Sequence, residues 1–137
     1  MANQDLSLLL IDDDDVIAEA VVRNLRKHNV DLPIFTAQDG VDGLAMLRSK
    51  ATGRTPIVLL DLKMPNMDGH EFLEEVRNDV ALRSTVVFVL STSDSHSDRS
   101  RAYDKCVAGY LVKSDLGAGH SKLANLIKSY QESVYLP

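Results

Sequence analysis

Cysteine, tryptophan and long apolar runs are scarce or missing in this sequence of 137 residues. The single cysteine, Cys106, has no partner for an internal disulfide and no Cys or His at metal-ligand spacing, so we expect a small buried or interfacial hydrophobe there. No apolar run approaches the roughly 20 residues that a membrane helix needs. The sequence therefore argues against a disulfide scaffold, a thiolate metal site and a membrane span.

Positive charge and targeting signals are also lacking. The chain carries 15 Lys and Arg against 20 Asp and Glu, a net charge of -5, whereas nucleic-acid surfaces depend on clustered cations. The first residues, MANQDLSLLLIDDDD, have no basic segment, and their short apolar stretch ends in acids, unlike a secretory signal peptide. We expect a cytoplasmic protein that binds neither nucleic acid nor membranes.

Nucleotide sites and histidine metal sites find no support either. No glycine-rich phosphate loop of the GxxxxGK(S/T) or GxGxxG type occurs in the sequence. The four histidines, His28, His70, His96 and His120, are scattered and share no metal-ligand spacing. We expect all four to be surface residues rather than metal ligands or phosphate acceptors.

Short apolar runs rich in Leu, Ile and Val alternate with stretches of helical periodicity, as in strands covered on both faces by helices. The apolar runs occupy residues 6–11, 33–37, 57–60, 85–90 and 109–112. The helical stretch 95–106 is weaker than the others, because only Ala102, Tyr103 and Cys106 can form its inward face. Five strands alternating with five helices predict a single doubly wound α/β domain with a parallel sheet and right-handed crossovers.

Polar side chains stand at the ends of four predicted strands. Asp12 and Asp13 follow the first strand, Asp61 the third, Ser91 the fourth and Lys113 the fifth. In an open parallel sheet, ligands bind beyond the carboxyl ends of the strands. We therefore expect three carboxylates, a hydroxyl and an ammonium group at one rim.

These residue types together predict phosphoryl chemistry. Clustered carboxylates repel one another, and at least one pKa rises unless a cation lies among them. Mg2+ is commonly held by one or two carboxylates plus a substrate phosphate. An aspartate can then form an aspartyl phosphate, while the metal and a lysine such as Lys113 neutralise the phosphoryl charge and Ser91 donates a hydrogen bond.

Each polar residue also has a structural explanation when it is considered alone. The acidic run 12–15 could cap the helix that follows it, a role we expect for Asp14 or Asp15. Ser91 could belong to a turn, and Lys113 could be an ordinary surface lysine. A calcium loop is excluded, because the run has no alternating acids, central glycine and twelfth-position Glu in register. The joint arrangement is more specific than any member of it.

Four segments, LLLIDDDD, IVLLDLKMPNMDG, VVFVLSTSD and GYLVKSD, resemble in this order the signature segments of receiver domains from two-component signalling. The resemblance covers essentially the whole chain, and IVLLDLKMPNMDG is its most specific part. It implies a (βα)5 flavodoxin-like fold with strand order 2-1-3-4-5. It also implies one receiver domain over residues 1–137, with its core at about 6–131 and a tail at 132–137.

The resemblance implies a role for individual residues in a phosphorylation site. Asp61 matches the aspartate that accepts the phosphoryl group. Asp12 and Asp13 match the acidic pair that binds Mg2+, with Mn2+ as an alternative, and the backbone carbonyl of Lys63 matches a further metal ligand. Many relatives carry a smaller polar side chain where this sequence has Lys63.

The resemblance also implies a switch. Ser91 matches its hydroxyl, Tyr110 matches the aromatic side chain that changes rotamer, and Lys113 matches the lysine that contacts the phosphate. Most relatives have proline after this lysine, often with a cis bond, whereas Ser114 stands here. Because a cis bond before a non-proline residue costs about 3 to 4 kcal/mol, the shape of this loop is left open.

The KS pair and the ending SVYLP are similar to single-domain regulators that act with phytochrome-type photoreceptor kinases. This similarity implies a sensor histidine kinase as partner, a downstream histidine phosphotransfer protein as a further candidate, and a homodimer built partly from the tail. A frayed terminus is the alternative for the tail.

Two other functions remain open at this point. A phosphorylation-independent binding module would keep the fold but lack the acceptor, the acid pair or the lysine, and all of these are present. A phosphohydrolase for small substrates would need a second acid, and Lys63 stands where that acid is expected. We therefore predict a signalling switch that catalyses only its own phosphorylation and dephosphorylation.

Overall fold

The computed structural model describes residues 5–53 and 55–137. The strands are β1 (Leu6–Ile11), β2 (Ile34–Ala37), β3 (Thr55–Leu60), β4 (Val86–Ser91) and β5 (Gly109–Val112). The helices are α1 (Asp15–Lys27), α2 (Gly40–Ser49), α3 (Gly69–Asn78), α4 (His96–Asp104) and α5 (Ser121–Ser133), and single 3-10 turns at Lys113–Asp115 and Ala118–His120 lie between β5 and α5.

All the strands of the described sheet are parallel and lie in the order β2-β1-β3-β4-β5, which confirms the predicted fold. Every residue of β1 is buried, which explains why this strand reads as an unbroken apolar run rather than an alternating one. Alternate residues face opposite layers: Leu8 and Leu10 pack with α1 and α5, whereas Leu9 and Ile11 pack with α2 and α3.

The predicted bounds of β1 and β5 agree with the structure, and those of the other strands differ by one or two residues. Ser91 is the last residue of β4 rather than the first residue after it.

The predicted inward face of the fourth helix is wrong in part: Ala102 is buried, but Tyr103 and Cys106 are exposed. For Cys106 the reason is that α4 ends at Asp104, and Cys106 lies beyond it at a φ of 60° with its side chain in solvent. Tyr103 lies within α4, but this helix buries only Ala102. The prediction that Cys106 is buried within the chain is therefore wrong.

The segment after α5 turns back towards the sheet. Leu136 is partly buried and packs against the core layer between the sheet and α1 and α5, whereas Tyr135 is 82% exposed. In this segment, Leu136 therefore covers part of the core, whereas the neighbouring Tyr135 faces solvent. Within residues 5–53 and 55–137, no helix combines the length and apolar character needed to cross a bilayer.

Candidate functional site

Parallel pairing of β1 and β3 brings the predicted acidic residues together. Ile11 pairs with Leu60, so Asp12 and Asp61 are the next residues at the same edge of the sheet. The Asp61 N–H donates to the Ile11 carbonyl at 2.9 Å, which extends the pairing into the site. Carboxylate oxygens of Asp12, Asp13 and Asp61 all lie within 4.8 Å of one another. The expected cluster of three carboxylates is therefore present.

Lys113 reaches this cluster from the end of β5. Its Nζ lies 2.7 Å from Asp12 Oδ2, and the lysine side chain is only 15% exposed. Asp12 is 3% exposed, and its Oδ1 accepts the N–H of Asp14 at 2.9 Å. A buried carboxylate needs such a cation and hydrogen bond to remain charged. Lys113 is thus part of the site and not an ordinary surface lysine.

The Asp61 carboxyl lies in an unusual electrostatic environment. It is 7% exposed, and burial is the main cause that raises its pKa from 3.8 to about 6. The Lys113 ammonium opposes this rise in pKa, whereas the charges of Asp12 and Asp13 add to it. The N–H of Lys63, at 3.5 Å from Asp61 Oδ1, also lowers the pKa of Asp61.

The donor set fits a hard divalent cation. The cluster offers oxygen ligands only, carries more negative charge than Lys113 can balance, and keeps Asp13 exposed on one side. Mg2+ and Mn2+ both favour such carboxylate sites with room for water. Asp12, Asp13 and Asp61 are the side chains that could hold the ion.

The acidic run after β1 serves two purposes. Asp12 and Asp13 belong to the cluster, whereas Asp14 is the N-cap of α1. Its side chain accepts the N–H groups of Val16 at 3.0 Å and Ile17 at 3.1 Å. The prediction that Asp14 or Asp15 caps this helix is confirmed, with Asp14 in that position.

Ser91 and Tyr110 meet at the segment between β4 and α4. The Ser91 hydroxyl is fully buried and accepts the N–H of Ser93 at 3.1 Å. The Tyr110 hydroxyl donates to the Ser93 carbonyl at 2.9 Å, so its ring is turned towards this segment. No described peptide bond is cis, and the bond between Lys113 and Ser114 is therefore trans.

The loop between β3 and α3 requires glycine at position 69. A Cβ atom there would lie 2.6 Å from the Asp61 carbonyl oxygen and 2.7 Å from the Leu62 Cα, both of them backbone atoms. The Gly69 N–H donates to the Leu62 carbonyl at 2.9 Å. The Gly of the MPNMDG segment therefore lets the start of α3 approach the backbone that carries Asp61.

Residues 8–124 match the sequence model of the response regulator receiver domain. The chain belongs to this receiver-domain family. Response regulator Rcp1 of Synechocystis is 30% identical over 135 residues, which cover 95% of this chain and 92% of that protein. The probable methanogenesis regulatory protein FilR2 of Methanothrix harundinacea is 36% identical over 109 residues, 77% of this chain and 70% of that protein.

Two solved receiver structures are similar over nearly their full length. The Mn2+-bound form of Rcp1 has a TM-score of 0.80 and 30% identity, and the match covers 97% of this chain and 99% of that one. The phosphorylated cyanobacterial phytochrome response regulator RcpA has a TM-score of 0.78 and 30% identity, and its match covers 98% and 99% of the two chains. As a receiver domain, this chain belongs with signalling switches rather than metabolic enzymes.

The structure of this receiver domain also corrects the prediction for the histidines. His96 is exposed as expected, but the side chain of His70 is only 11% exposed and its Nε2 lies 3.1 Å from Asp98 Oδ1. His120 is half-buried and forms a 2.8 Å hydrogen bond with Asn24, and burial lowers its pKa. The surface prediction is thus wrong for His70. Its position directly after the DG pair, nine residues beyond Asp61, is the sequence signal that could have indicated its proximity to the acidic cluster.

Arg77 of the receiver domain is a second residue that the sequence reading missed. Its guanidinium group donates to the backbone carbonyls of Lys105, Arg83, Thr85 and Cys106 at 2.7, 2.8, 2.9 and 3.1 Å. Burial lowers the pKa of Arg77 from its ordinary value. The side chain therefore joins α3 to the loop before β4 and to the loop between α4 and β5, a role that no local pattern indicates.

Proposed function

We propose that this receiver domain accepts a phosphoryl group from a sensor histidine kinase on Asp61 and thereby switches a protein-binding surface. The observation that carries the proposal is the convergence of Asp12, Asp13 and Asp61 within 4.8 Å, with Lys113 bound to Asp12. Similarity to a phosphorylated phytochrome response regulator and to a Mn2+-bound regulator supports it.

The proposed metal is Mg2+, with Mn2+ as a substitute. Its ligands would be the carboxylates of Asp12, Asp13 and Asp61 and the backbone carbonyl of Lys63. When bound, the ion would neutralise charge on the carboxylates and on the equatorial oxygens of the phosphoryl group. Because the cluster consists of oxygen donors only, a hard cation suits it better than a soft one.

In the proposed reaction, an Asp61 oxygen attacks the phosphorus of a phosphohistidine in line with the leaving nitrogen. The new bond joins phosphorus to oxygen, the phosphorus–nitrogen bond breaks, and its electron pair returns to the imidazole. The attacking carboxylate must be ionised, and a divalent cation among the three carboxylates would favour that form. Lys113 provides a fixed positive charge beside the transferred group, and water later hydrolyses the aspartyl phosphate.

The proposed output is a change in the face formed by α4, β5 and α5. The Ser91 hydroxyl, which here accepts the Ser93 N–H, would donate to a phosphoryl oxygen instead. Tyr110 contacts the same segment through the Ser93 carbonyl and can transmit the change to β5. To shift the equilibrium between two conformations from 1:99 to 99:1, the phosphoryl group must favour one conformation by about 5.5 kcal/mol. Several charge-assisted contacts can supply this difference.

The proposed partners follow from the same similarity. Because relatives include a phytochrome response regulator, we propose a phytochrome-type sensor kinase as the donor, acting with this protein in the cytoplasm. A histidine phosphotransfer protein is the proposed recipient if the phosphoryl group moves on. The proposed donor can be tested by phosphorylating the kinases of the same cell and comparing the rates at which each transfers its phosphoryl group to this chain.

A homodimer is also proposed, with the exposed Tyr135 at its contact surface. Light scattering at high concentration is expected to give twice the monomer mass, and Tyr135→Ser is expected to shift the equilibrium towards monomer. Leu136 packs on the core of its own chain and is left unchanged in this variant. Monomer alone in the wild-type protein, with and without a phosphodonor, would contradict the dimer.

The proposed acceptor chemistry can be tested without a kinase. Incubation with phosphoramidate and Mg2+ is expected to add the mass of one phosphoryl group, and borohydride reduction followed by peptide mapping is expected to place it on Asp61. A chelator should abolish the reaction, and excess Mg2+ or Mn2+ should restore it, because the acidic cluster otherwise repels the anionic donor. Labelling that persists in the chelator, or that maps to another peptide, would overturn the proposal.

A further inference from the structure

A chain of hydrogen bonds joins α3 to the segment between β4 and α4. His70 Nε2 lies 3.1 Å from Asp98 Oδ1, and Asp98 Oδ2 accepts the Ser93 hydroxyl at 2.7 Å. His70 is the second residue of α3, and Asp98 lies in the first turn of α4. His70 of α3 is thus linked through Asp98 of α4 to one loop residue, Ser93.

Ser93 in turn holds the two residues of the proposed switch. Its N–H donates to the Ser91 hydroxyl at 3.1 Å, and its carbonyl accepts the Tyr110 hydroxyl at 2.9 Å. The hydrogen bond from the Ser93 side chain to Asp98 therefore helps to fix the backbone on both sides of Ser93, where one peptide group donates to Ser91 and the next accepts from Tyr110. The Asp98 carboxylate is well suited to fix it, because the bonds from Ser93 and His70 lower its pKa and so favour its charged form.

The burial of His70 indicates that its contact with Asp98 is a specific one. Its side chain is only 11% exposed, and within residues 5–53 and 55–137 its Nδ1 is buried without a hydrogen-bond partner. A buried polar atom without a partner costs free energy, so the contact made by the other ring nitrogen must compensate for it. By contrast, His96 at the start of α4 is exposed. Among the described residues, it forms no hydrogen bond with Asp98 or Ser93.

We infer that His70 is a positioning residue, which acts through Asp98 and Ser93 to keep Tyr110 turned inward before a phosphoryl group arrives. The inference rests on the proposed function, and it assigns the Tyr110 position seen here, hydrogen-bonded to the Ser93 carbonyl, to the phosphorylated state. A protein that already populates the competent arrangement binds the phosphoryl group or its analogue more tightly, since apparent affinity scales with the competent fraction. The His70 contact would thus set how readily this domain responds.

The positioning role can be measured without any ligand. Isotope-labelled tyrosine spectra of the His70→Ala variant are expected to show a shift or broadening of the Tyr110 ring signal, assigned with Tyr110→Phe. His70→Gln keeps a side-chain N–H for Asp98 and is expected to restore most of the wild-type signal. His96→Ala removes an exposed imidazole nearby and should leave Tyr110 unchanged. An unchanged Tyr110 signal in the folded His70→Ala variant would overturn the inference.

The coupling to the acceptor site is measured with beryllofluoride and Mg2+, which form an analogue of the phosphoryl group on an aspartate. His70→Ala is expected to weaken beryllofluoride binding about fivefold, the effect of losing one hydrogen bond, while Mg2+ binding alone stays the same. His70→Ala and Ser93→Ala combined should weaken it little more than either alone, since both break one chain. Equal or tighter beryllofluoride binding by His70→Ala would overturn the inference. Failure of the wild-type protein to bind beryllofluoride would instead overturn the proposed function, and the Tyr110 signals would then decide the inference.

Discussion

An Asp61→Asn variant is expected to incorporate no phosphoryl group from a phosphorylated kinase or from phosphoramidate, and to be more stable than the wild-type protein at pH 7 without divalent cations. The first effect follows from the loss of the carboxylate oxygen that we propose as the nucleophile. The second follows from burial, because Asp61 is 7% exposed and stands within 4.8 Å of two other carboxylates. Removing its charge removes both the cost of burying it and the repulsion.

The stability that Asp61 contributes depends on pH, and the sign of this dependence follows from its pKa. The pKa of Asp61 is raised from 3.8 to about 6 in the folded protein, so the folded state binds more protons than the unfolded state between these values. The stabilising contribution of the protonated carboxyl is present below about pH 4 and is lost as the pH rises through 6. A shift of this size corresponds to at most about 3 kcal/mol, and we expect about 1 to 3 kcal/mol because Asp13 leaves the cluster open to water.

Urea unfolding between pH 4 and 7 measures this contribution in a chelating buffer. The free energy of unfolding of the wild-type protein should fall relative to Asp61→Asn as the pH rises, and Mg2+ should narrow the difference by stabilising the wild-type protein alone. Asp15→Asn is the matched control, since Asp15 is exposed in the first turn of α1 and lies outside the cluster. Labelling of Asp61→Asn would contradict the acceptor role of Asp61. A lower stability of Asp61→Asn than of the wild-type protein at pH 7 would contradict the described electrostatics.

An Arg77→Ala variant is expected to lose about 3 kcal/mol of stability, the largest effect we expect from a single polar side chain outside the acidic cluster. The guanidinium group donates to four backbone carbonyls, those of Lys105, Arg83, Thr85 and Cys106. Alanine would leave these carbonyls without their donor, and some of them lie where water reaches poorly. The loop before β4 and the loop between α4 and β5 would lose their common attachment to α3.

Two further variants separate the hydrogen bonds of Arg77 from its charge. Arg77→Lys keeps the charge but offers one nitrogen in place of the planar fork, so we expect it to recover less than half of the lost stability. Arg83→Ala removes an exposed arginine from the same region and is expected to change the unfolding free energy by less than about 0.5 kcal/mol. Equal stability of Arg77→Ala and Arg83→Ala in thermal unfolding would contradict this role.

Much of the fold could be predicted because the sheet is buried on both faces. All residues of β1 and the last four of β3 are buried, and this makes the strands visible as continuous apolar runs. The weakest prediction concerned α4, where Tyr103 and Cys106 were assigned inward on periodicity alone. For Cys106, periodicity fails because α4 ends at Asp104, and the exact end depends on how the chain turns into β5. Tyr103 lies within α4, but this short helix buries only Ala102.

The sequence by itself determined the parallel sheet and the meeting of Asp12, Asp13 and Asp61 at one edge, because strand burial and parallel register leave little choice for residues that directly follow a strand. Only the tertiary structure decided the contacts of His70 and Arg77. These contacts join segments about 28 residues apart through side-chain directions and loop paths that no local periodicity encodes.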